Sequence, residues 1–205
     1  MRFIGVSLLL FLAVGGSMTR AATLVSNMGE SSPFGWSSGY DKAISFTTDA
    51  TASSEVIRSF STYAWRSGVF TDPNTYSIGI WSNSGSNTPG SLIAGTTFSF
   101  YDYNTTTKLA RYSNAGFSLA NNTTYWIVVD ESGSGGLYMD STTSTNQTGW
   151  ALGNNTYYRS AGSTGGWGTD TPVKVELSST AIPEPSAFSL LAVGLGLVLR
   201  RRRNV

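Results

Sequence analysis

Short runs of alternating apolar and polar residues fill the middle of the chain. Residues 43–47 (AISFT) alternate strictly, and Tyr76, Ile78 and Ile80 fall on one face of the next such run. Turn-forming Gly, Ser, Asn and Pro residues separate the runs. This pattern predicts an all-β fold with one antiparallel, jelly-roll-like β-sandwich and no helix in the middle of the chain.

Further strands are predicted from β-branched and aromatic residues. Residues 124–130 (TYWIVVD) are apolar at consecutive positions, which predicts a central strand covered on both faces. Residues 149–152 and 157–160 predict a late hairpin around residues 153–155 (GNN). A closing strand is predicted at residues 173–177 (VKVEL), with Val and Leu inward and the charges outward. The other predicted strands are residues 56–63 and the pair 96–101 and 108–112.

The N-terminal residues have the composition of an export signal. Met1 and Arg2 give a positive start, residues 3–14 are almost wholly apolar, and residues 15–17 (GGS) end that run. We expect a secretory signal peptide at residues 1–21, cut after Ala21. An uncleaved anchor and a buried strand are the alternatives.

The C-terminal residues combine a stiff motif, an apolar segment and a basic end. Residues 182–186 (IPEPS) precede the apolar residues 187–199, and the basic tail of residues 200–205 follows. A helix over the apolar segment is about 20 Å long, against about 30 Å for a hydrocarbon core. Snorkelling arginines and local bilayer thinning reduce this mismatch, so we expect a short transmembrane helix. The basic residues are Arg200, Arg201, Arg202 and Arg203; they disfavour a core helix or a GPI signal, and the positive-inside rule keeps them cytoplasmic.

Charge and missing residue types narrow the function of the middle, residues 22–181. Up to Ile182 it holds 3 lysines and 4 arginines against 11 acidic residues, a net charge of −4. This charge offers no basic surface for nucleic acid. The chain has no histidine and no cysteine, so a Ser-His-Asp triad and thiolate chemistry are both excluded. We expect a non-enzymatic protein without a cofactor.

The tail, residues 182–205, resembles the PEP-CTERM sorting signal of Gram-negative, exopolysaccharide-making bacteria. The matching residues are Pro183, Glu184 and Pro185, then the apolar segment and the four arginines. The resemblance implies that a membrane-embedded exosortase recognises the motif and releases or transfers the protein. The prolines favour an extended, accessible motif. We therefore expect export across the inner membrane, a membrane-anchored precursor, and a final place at the cell surface or outside the cell.

The middle is similar to bacterial "choice-of-anchor" ectodomains, which occur with different C-terminal anchors. The similar segments are residues 26–29 (SNMG), 43–48 (AISFTT), 80–85 (IWSNSG), 88–92 (TPGSL) and 119–128 (LANNTTYWIV). The resemblance implies a β-sandwich and supplies no catalytic residues. The two targeting ends, a surface rich in Ser, Thr and Asn, and the lack of a catalytic constellation favour a structural or adhesive role in the envelope or exopolysaccharide matrix.

Two sets of residues are candidates for chemistry. The first is the acid pair Asp130 and Glu131, a weak calcium candidate that lacks the loop spacing of calcium sites. As neighbours on a strand these acids point to opposite faces, so the pair alone is not a glycoside hydrolase couple, and a carboxylate hydrolase is the least favoured function. The second set is Trp150 and Trp167, whose rings beside turns are candidate platforms for carbohydrate. Exopolysaccharide binding is therefore the alternative function, whereas Trp126 is expected to be structural.

Overall fold

The computed structural model describes residues 22–30, 34–35, 40–65, 76–131, 138–142, 148–160 and 162–179. These residues form strands, turns and one 3-10 turn at Ala52–Ser54, without an α-helix. The all-β prediction is confirmed. The strands are β1 Thr23–Ser26, β2 Phe34–Gly35, β3 Tyr40–Thr47, β4 Ile57–Trp65, β5 Tyr76–Asn83, β6 Pro89–Leu92, β7 Ser99–Asn104, β8 Leu109–Phe117, β9 Thr124–Glu131, β10 Tyr138–Ser141, β11 Thr148–Gly149, β12 Ala151–Ser160, β13 Gly168–Thr169 and β14 Val175–Ser178.

The strands form two antiparallel sheets that pack as a sandwich. The first sheet has the order β11-β1-β14-β4-β10-β2, with β8 also paired to β4 and β7 paired to β8. The second sheet has the order β13-β12-β3-β9-β5-β6. Phe60 and Leu177 from the first sheet share one buried core with Phe46 and Ile127 from the second. The predicted sandwich of antiparallel sheets is confirmed.

Strand β9 lies in the middle of the second sheet, between β3 and β5. Its side chains alternate, so that Ile127 and Val129 enter the core while Trp126 and Val128 point to the outer face. Trp126 and Val128 have no exposed surface. The sequence prediction of a central strand covered on both faces is confirmed, and the cover on the outer face is a layer of aromatic side chains.

The predicted hairpin at residues 153–155 is wrong, because β12 is one continuous strand. It pairs with β3 along its length, and a bulge between Leu152 and Thr156 takes up the extra residues. Gly153 lies where β12 approaches Ser45, and a Cβ at this position would overlap the Ser45 hydroxyl. The glycine therefore permits close backbone packing at a bulge, where the sequence pattern indicated a turn.

One charged residue of the closing strand is buried, whereas the sequence pattern predicts that it is exposed. Val175 and Leu177 point inward as expected. Lys174 was expected outward but is only 5% exposed. Its ammonium group lies 5.4 Å from the centroid of the Tyr63 ring, which compensates part of the lost hydration.

The two ends of the described domain are neighbours. The Ser179 amide donates to the Ala22 carbonyl at 3.0 Å, and the Ala22 amide donates to the Ser179 hydroxyl at 3.2 Å. Strands β1 and β14 pair just beyond this contact. The segments that precede and follow the sandwich therefore join it at one place.

The terminal predictions lie outside the described residues. They are the signal peptide at residues 1–21, the motif Pro183, Glu184 and Pro185, the apolar residues 187–199, and the arginines Arg200, Arg201, Arg202 and Arg203. In the part of the chain that the structure describes, no helix has the length and apolar character to cross a membrane.

Gly149→Ala is expected to lower the free energy of unfolding by about 1–3 kcal/mol. Gly149 has a φ of +87°, and a Cβ there would overlap the backbone carbonyl of Leu24 on the neighbouring strand. Denaturant unfolding measures the change. Gly85→Ala is the control, because no atom lies within 4 Å of its added Cβ. Equal losses in the two variants would contradict this account of Gly149.

Candidate functional site

Two consecutive charged residues on β3, Asp41 and Lys42, are both buried, with 0% and 4% exposure. Because neighbours on a strand point to opposite faces, their side chains leave the sheet on opposite sides. An uncompensated buried charge costs several kcal/mol, so each of the two requires a partner of opposite charge. Each partner defines a separate cluster.

The first cluster lies on the outer face of the second sheet. Arg159 on β12 donates from Nε to Asp41 Oδ2 at 2.6 Å. The Arg159 guanidinium carbon lies 4.5 Å from the centroid of the Trp167 ring and 5.6 Å from that of a Trp81 ring. Such stacking suits the weakly hydrated guanidinium group. The salt bridge and the two tryptophans therefore hold Arg159 in one place.

Aromatic rings cover the buried centre of this face. Tyr157 lies over Trp126, with ring centroids 5.3 Å apart. Trp126 donates from Nε1 to Asn83 Oδ1 at 2.9 Å, which satisfies its one polar group. Trp81, Tyr157 and Trp167 are partly exposed. We call these three rings and Arg159 the outer aromatic face.

Asp130 adds a second carboxyl beside Asp41 on the same face. Burial raises the pKa of Asp130, the negative charge of Asp41 and a hydrogen bond with it raise the pKa further, and Arg159 opposes them. Two carboxyls thus share one guanidinium. The charges of Asp41 and Arg159 cancel, so the net charge of the three groups is zero when Asp130 is protonated and −1 when Asp130 is ionised. Neither state attracts an anionic ligand.

The outer aromatic face has groups suited to binding a sugar. Flat aromatic rings offer apolar surface for the apolar face of a sugar ring, and the nearby polar groups can bond its hydroxyls. The arrangement does not suit glycoside hydrolysis through Asp41 and Asp130. Those carboxyls share a hydrogen bond, whereas hydrolases hold theirs about 5–10 Å apart, and Asp41 has no exposed surface.

The second cluster lies around Lys42 at the inner side of β3. Lys42 Nζ is 3.0 Å from Asp170 Oδ2, and the two side chains are 4% and 5% exposed. The Tyr40 and Tyr158 ring centroids lie 5.2 and 5.5 Å from Nζ. Glu131, 2% exposed, is close enough to act on the charge of Lys42. We call these five residues the Lys42 cluster.

Burial lowers the pKa of Lys42, and the charges of Asp170 and Glu131 only partly offset this effect. The amine is therefore easier to deprotonate than an exposed lysine. A neutral amine is a nucleophile, whereas an ammonium group is not. The cluster thus places a buried lysine of lowered pKa in contact with the Asp170 carboxyl, with a second buried carboxyl, Glu131, nearby.

The structure separates the two tryptophans that the sequence offers as carbohydrate platforms. Trp167 lies on the outer aromatic face and is partly exposed. Trp150 is 3% exposed, and its ring stacks on Phe46 at 6.0 Å with an interplanar angle of 5°. The expectation of an exposed ring at Trp150 is wrong. Its backbone amide bonds the Leu24 carbonyl, which places the residue against the core between the sheets.

Asp130 and Glu131, the weak calcium candidates, do not converge. Asp130 contacts Asp41 on the outer face, whereas Glu131 Oε2 accepts a hydrogen bond from the Tyr40 amide at 3.2 Å. No group of three or more His, Cys, Asp or Glu residues that could hold a metal occurs in the described ranges.

Sequence reasoning missed the charges that organise both clusters. Asp41 and Lys42 directly precede the predicted strand at residues 43–47, and extending its alternation by two residues would have placed them on opposite faces. Arg159 and Asp170 carry no local signal, because their partners are 118 and 128 residues away in sequence.

No family model, curated protein or solved structure matches this chain. Functional assignment therefore rests on the residues and the geometry described above.

Asp130→Asn is expected to stabilise the protein at pH 7 and to have little effect near pH 3. The raised pKa means that the folded state binds the Asp130 proton more tightly than the unfolded state, whose value is near 3.8. Stability from this group is therefore present at low pH and is lost as pH rises through the folded pKa. Denaturant unfolding at both pH values measures the difference.

Asp102→Asn is the control, because Asp102 is exposed and its pair with the half-buried Arg111 contributes little. A destabilised Asp130→Asn protein at pH 7 would contradict the assignment.

Proposed function

We propose that this chain is an exported bacterial protein of the cell surface or extracellular matrix, with a structural or adhesive role and no enzymatic activity. The observation that carries the proposal is the order of the tail: Pro183-Glu184-Pro185, the apolar residues 187–199 and four arginines. The resemblance to PEP-CTERM signals supports an exosortase as the processing partner. A signal peptide at residues 1–21 and a transmembrane helix at residues 187–199 belong to the same proposal.

The shape of the sandwich supports its role as cargo between two terminal signals. Ala22 and Ser179 are hydrogen-bonded neighbours, so both connections leave the domain at one place. Neither connection has to cross a sheet or open the core. The sandwich, which we assign to the jelly-roll-like group, can therefore fold outside the membrane while the tail remains anchored.

Changing Pro183, Glu184 and Pro185 together to alanine is expected to stop processing of the tail in the native host. The alanines remove the fixed φ angles that favour an extended motif. Intact mass spectrometry of the protein from membrane and surface fractions measures the outcome. We expect the variant to keep its tail and to accumulate in the membrane.

Thr180→Ala is the control outside the motif of residues 182–186 and is expected to be processed normally. Unchanged mass and unchanged surface display in the triple variant would show that the tail is only an anchor, and the exosortase proposal would then be wrong.

A second candidate function, binding of exopolysaccharide, is favoured by the outer aromatic face. Trp81 and Trp167 are partly exposed, and their rings are held by Arg159. The carboxyls of Asp41 and Asp130 favour a neutral glycan over an acidic one. This function fits the adhesive role, because it would join the sandwich to the matrix.

The double variant Trp81→Ala, Trp167→Ala is expected to bind neutral glycan about 5- to 150-fold more weakly, because each stacked ring contributes about 0.5–1.5 kcal/mol. A glycan array followed by titration of the best ligand measures the change. Tyr101→Ala is the control, since Tyr101 is a partly exposed aromatic residue on β7 in the other sheet. Equal affinity in the double variant, or no glycan binding by the unaltered protein, would contradict this candidate.

A further inference from the structure

We propose that Lys42 and Asp170 condense to an intramolecular isopeptide bond in the folded protein, with Glu131 carrying the proton. The bond joins Lys42 Nζ to the side-chain carbonyl carbon of Asp170 and links β3 to the segment after β13. It is a modification that the protein makes on itself. It does not depend on export, on the tail or on a glycan ligand.

The amine is already in contact with the carboxyl group that it attacks. Lys42 Nζ lies 3.0 Å from Asp170 Oδ2, which is bonded to the Cγ atom where the new bond forms. This contact supplies the proximity that an intramolecular condensation requires. The backbone fixes both residues. Lys42 pairs with Tyr158 of β12 and Val129 of β9, and the Asp170 amide donates to the Thr156 carbonyl at 2.8 Å. Folding therefore converts two distant groups into close neighbours.

Burial favours the neutral amine that the reaction needs. Condensation requires a neutral amine and a protonated carboxyl, which the ion pair reaches by moving one proton from Lys42 to Asp170. Burial lowers the pKa of Lys42, which makes the loss of this proton easier. The side chains are 4% and 5% exposed, and the rings of Tyr40 and Tyr158 lie beside the ammonium group.

The step balances without an oxidant, a reductant or a cofactor. The lone pair of the Lys42 amine attacks Cγ of Asp170, and the new C–N bond forms as one C–O bond breaks. The departing oxygen leaves as water, with its own proton and one proton from the nitrogen. The Glu131 carboxylate accepts the proton from the nitrogen and returns it to the departing oxygen, so it ends unchanged.

The other buried charges show what is special about the Lys42 cluster. Asp41 has a partner as close, but a guanidinium group is always charged and is no amine nucleophile. Lys174 is as buried as Lys42, but it faces the Tyr63 ring, and none of the ion pairs between described residues includes it. The Lys42 cluster combines a lysine amine with two carboxyls. Asp170 is in contact with the amine, and Glu131 is the second buried carboxyl.

The test is mass spectrometry on the purified full-length chain after unfolding and digestion with trypsin. The expected result is one branched peptide that joins the Lys42 and Asp170 segments and is lighter than their sum by one water molecule. Trypsin should not cleave after the modified Lys42. Recovery of both peptides separately at their full masses would overturn the proposal.

Three variants assign the roles. Lys42→Arg retains a positive charge for Asp170 but has no amine nucleophile, and it is expected to give no branched peptide. Glu131→Gln is expected to form the bond at least about 100-fold more slowly, the usual loss on removing a general acid–base group. Lys174→Arg is the matched control and should cross-link as the unaltered protein does. A branched peptide in the Lys42→Arg variant would overturn the site, and an unchanged rate in Glu131→Gln would overturn the role of Glu131.

Discussion

The need to pair two buried charges on one strand organises the two charged clusters of this sandwich. Asp41 and Lys42 are consecutive and point to opposite sides of β3. Removing the partner of such a charge costs about 3–5 kcal/mol. Arg159 therefore has to lie beside Asp41 on one side of β3, and Asp170 has to lie beside Lys42 on the other side. The two ion pairs thus add to the pairing of β12 with β3 and to the hydrogen bond from the Asp170 amide to the Thr156 carbonyl.

Aromatic residues complete both pairs by taking the place of water. Trp81 and Trp167 lie against Arg159, and Tyr40 and Tyr158 lie beside Lys42. A cation over a ring recovers part of the free energy of its lost hydration. Four of the Tyr and Trp residues of the sandwich thus serve two of its few cations. On the outer face, Trp81 and Trp167 also help to cover the apolar side chains of β9. These rings separate Trp126 and Val128 from solvent.

Local periodicity was sufficient to predict the strands whose neighbours bury one or both faces. Strands β3, β5 and β9 were predicted with errors of a few residues, because alternation and apolar runs are written within each segment. The turn predicted at Gly153 is wrong. A glycine permits a turn and a bulge equally, and only the contact with Ser45 decides between them. The exposed ring predicted at Trp150 is wrong, because the local sequence does not determine whether a tryptophan beside a glycine points to solvent or to the core. Both ion pairs were out of reach, because they depend on tertiary pairing across more than 100 residues.

The neighbouring ends of the domain determine how it would respond to mechanical load. A pull through a C-terminal tether enters the sandwich at Ser179 and acts first on β14, which lies between β1 and β4. Once β14 has separated from its neighbours, the force acts on residues 171–174, which connect β14 to Asp170. With the isopeptide bond in place, extension stops there, because force then runs through a covalent link into β3 at the centre of the second sheet. Only the last strand would be extracted, and it could re-anneal when tension falls.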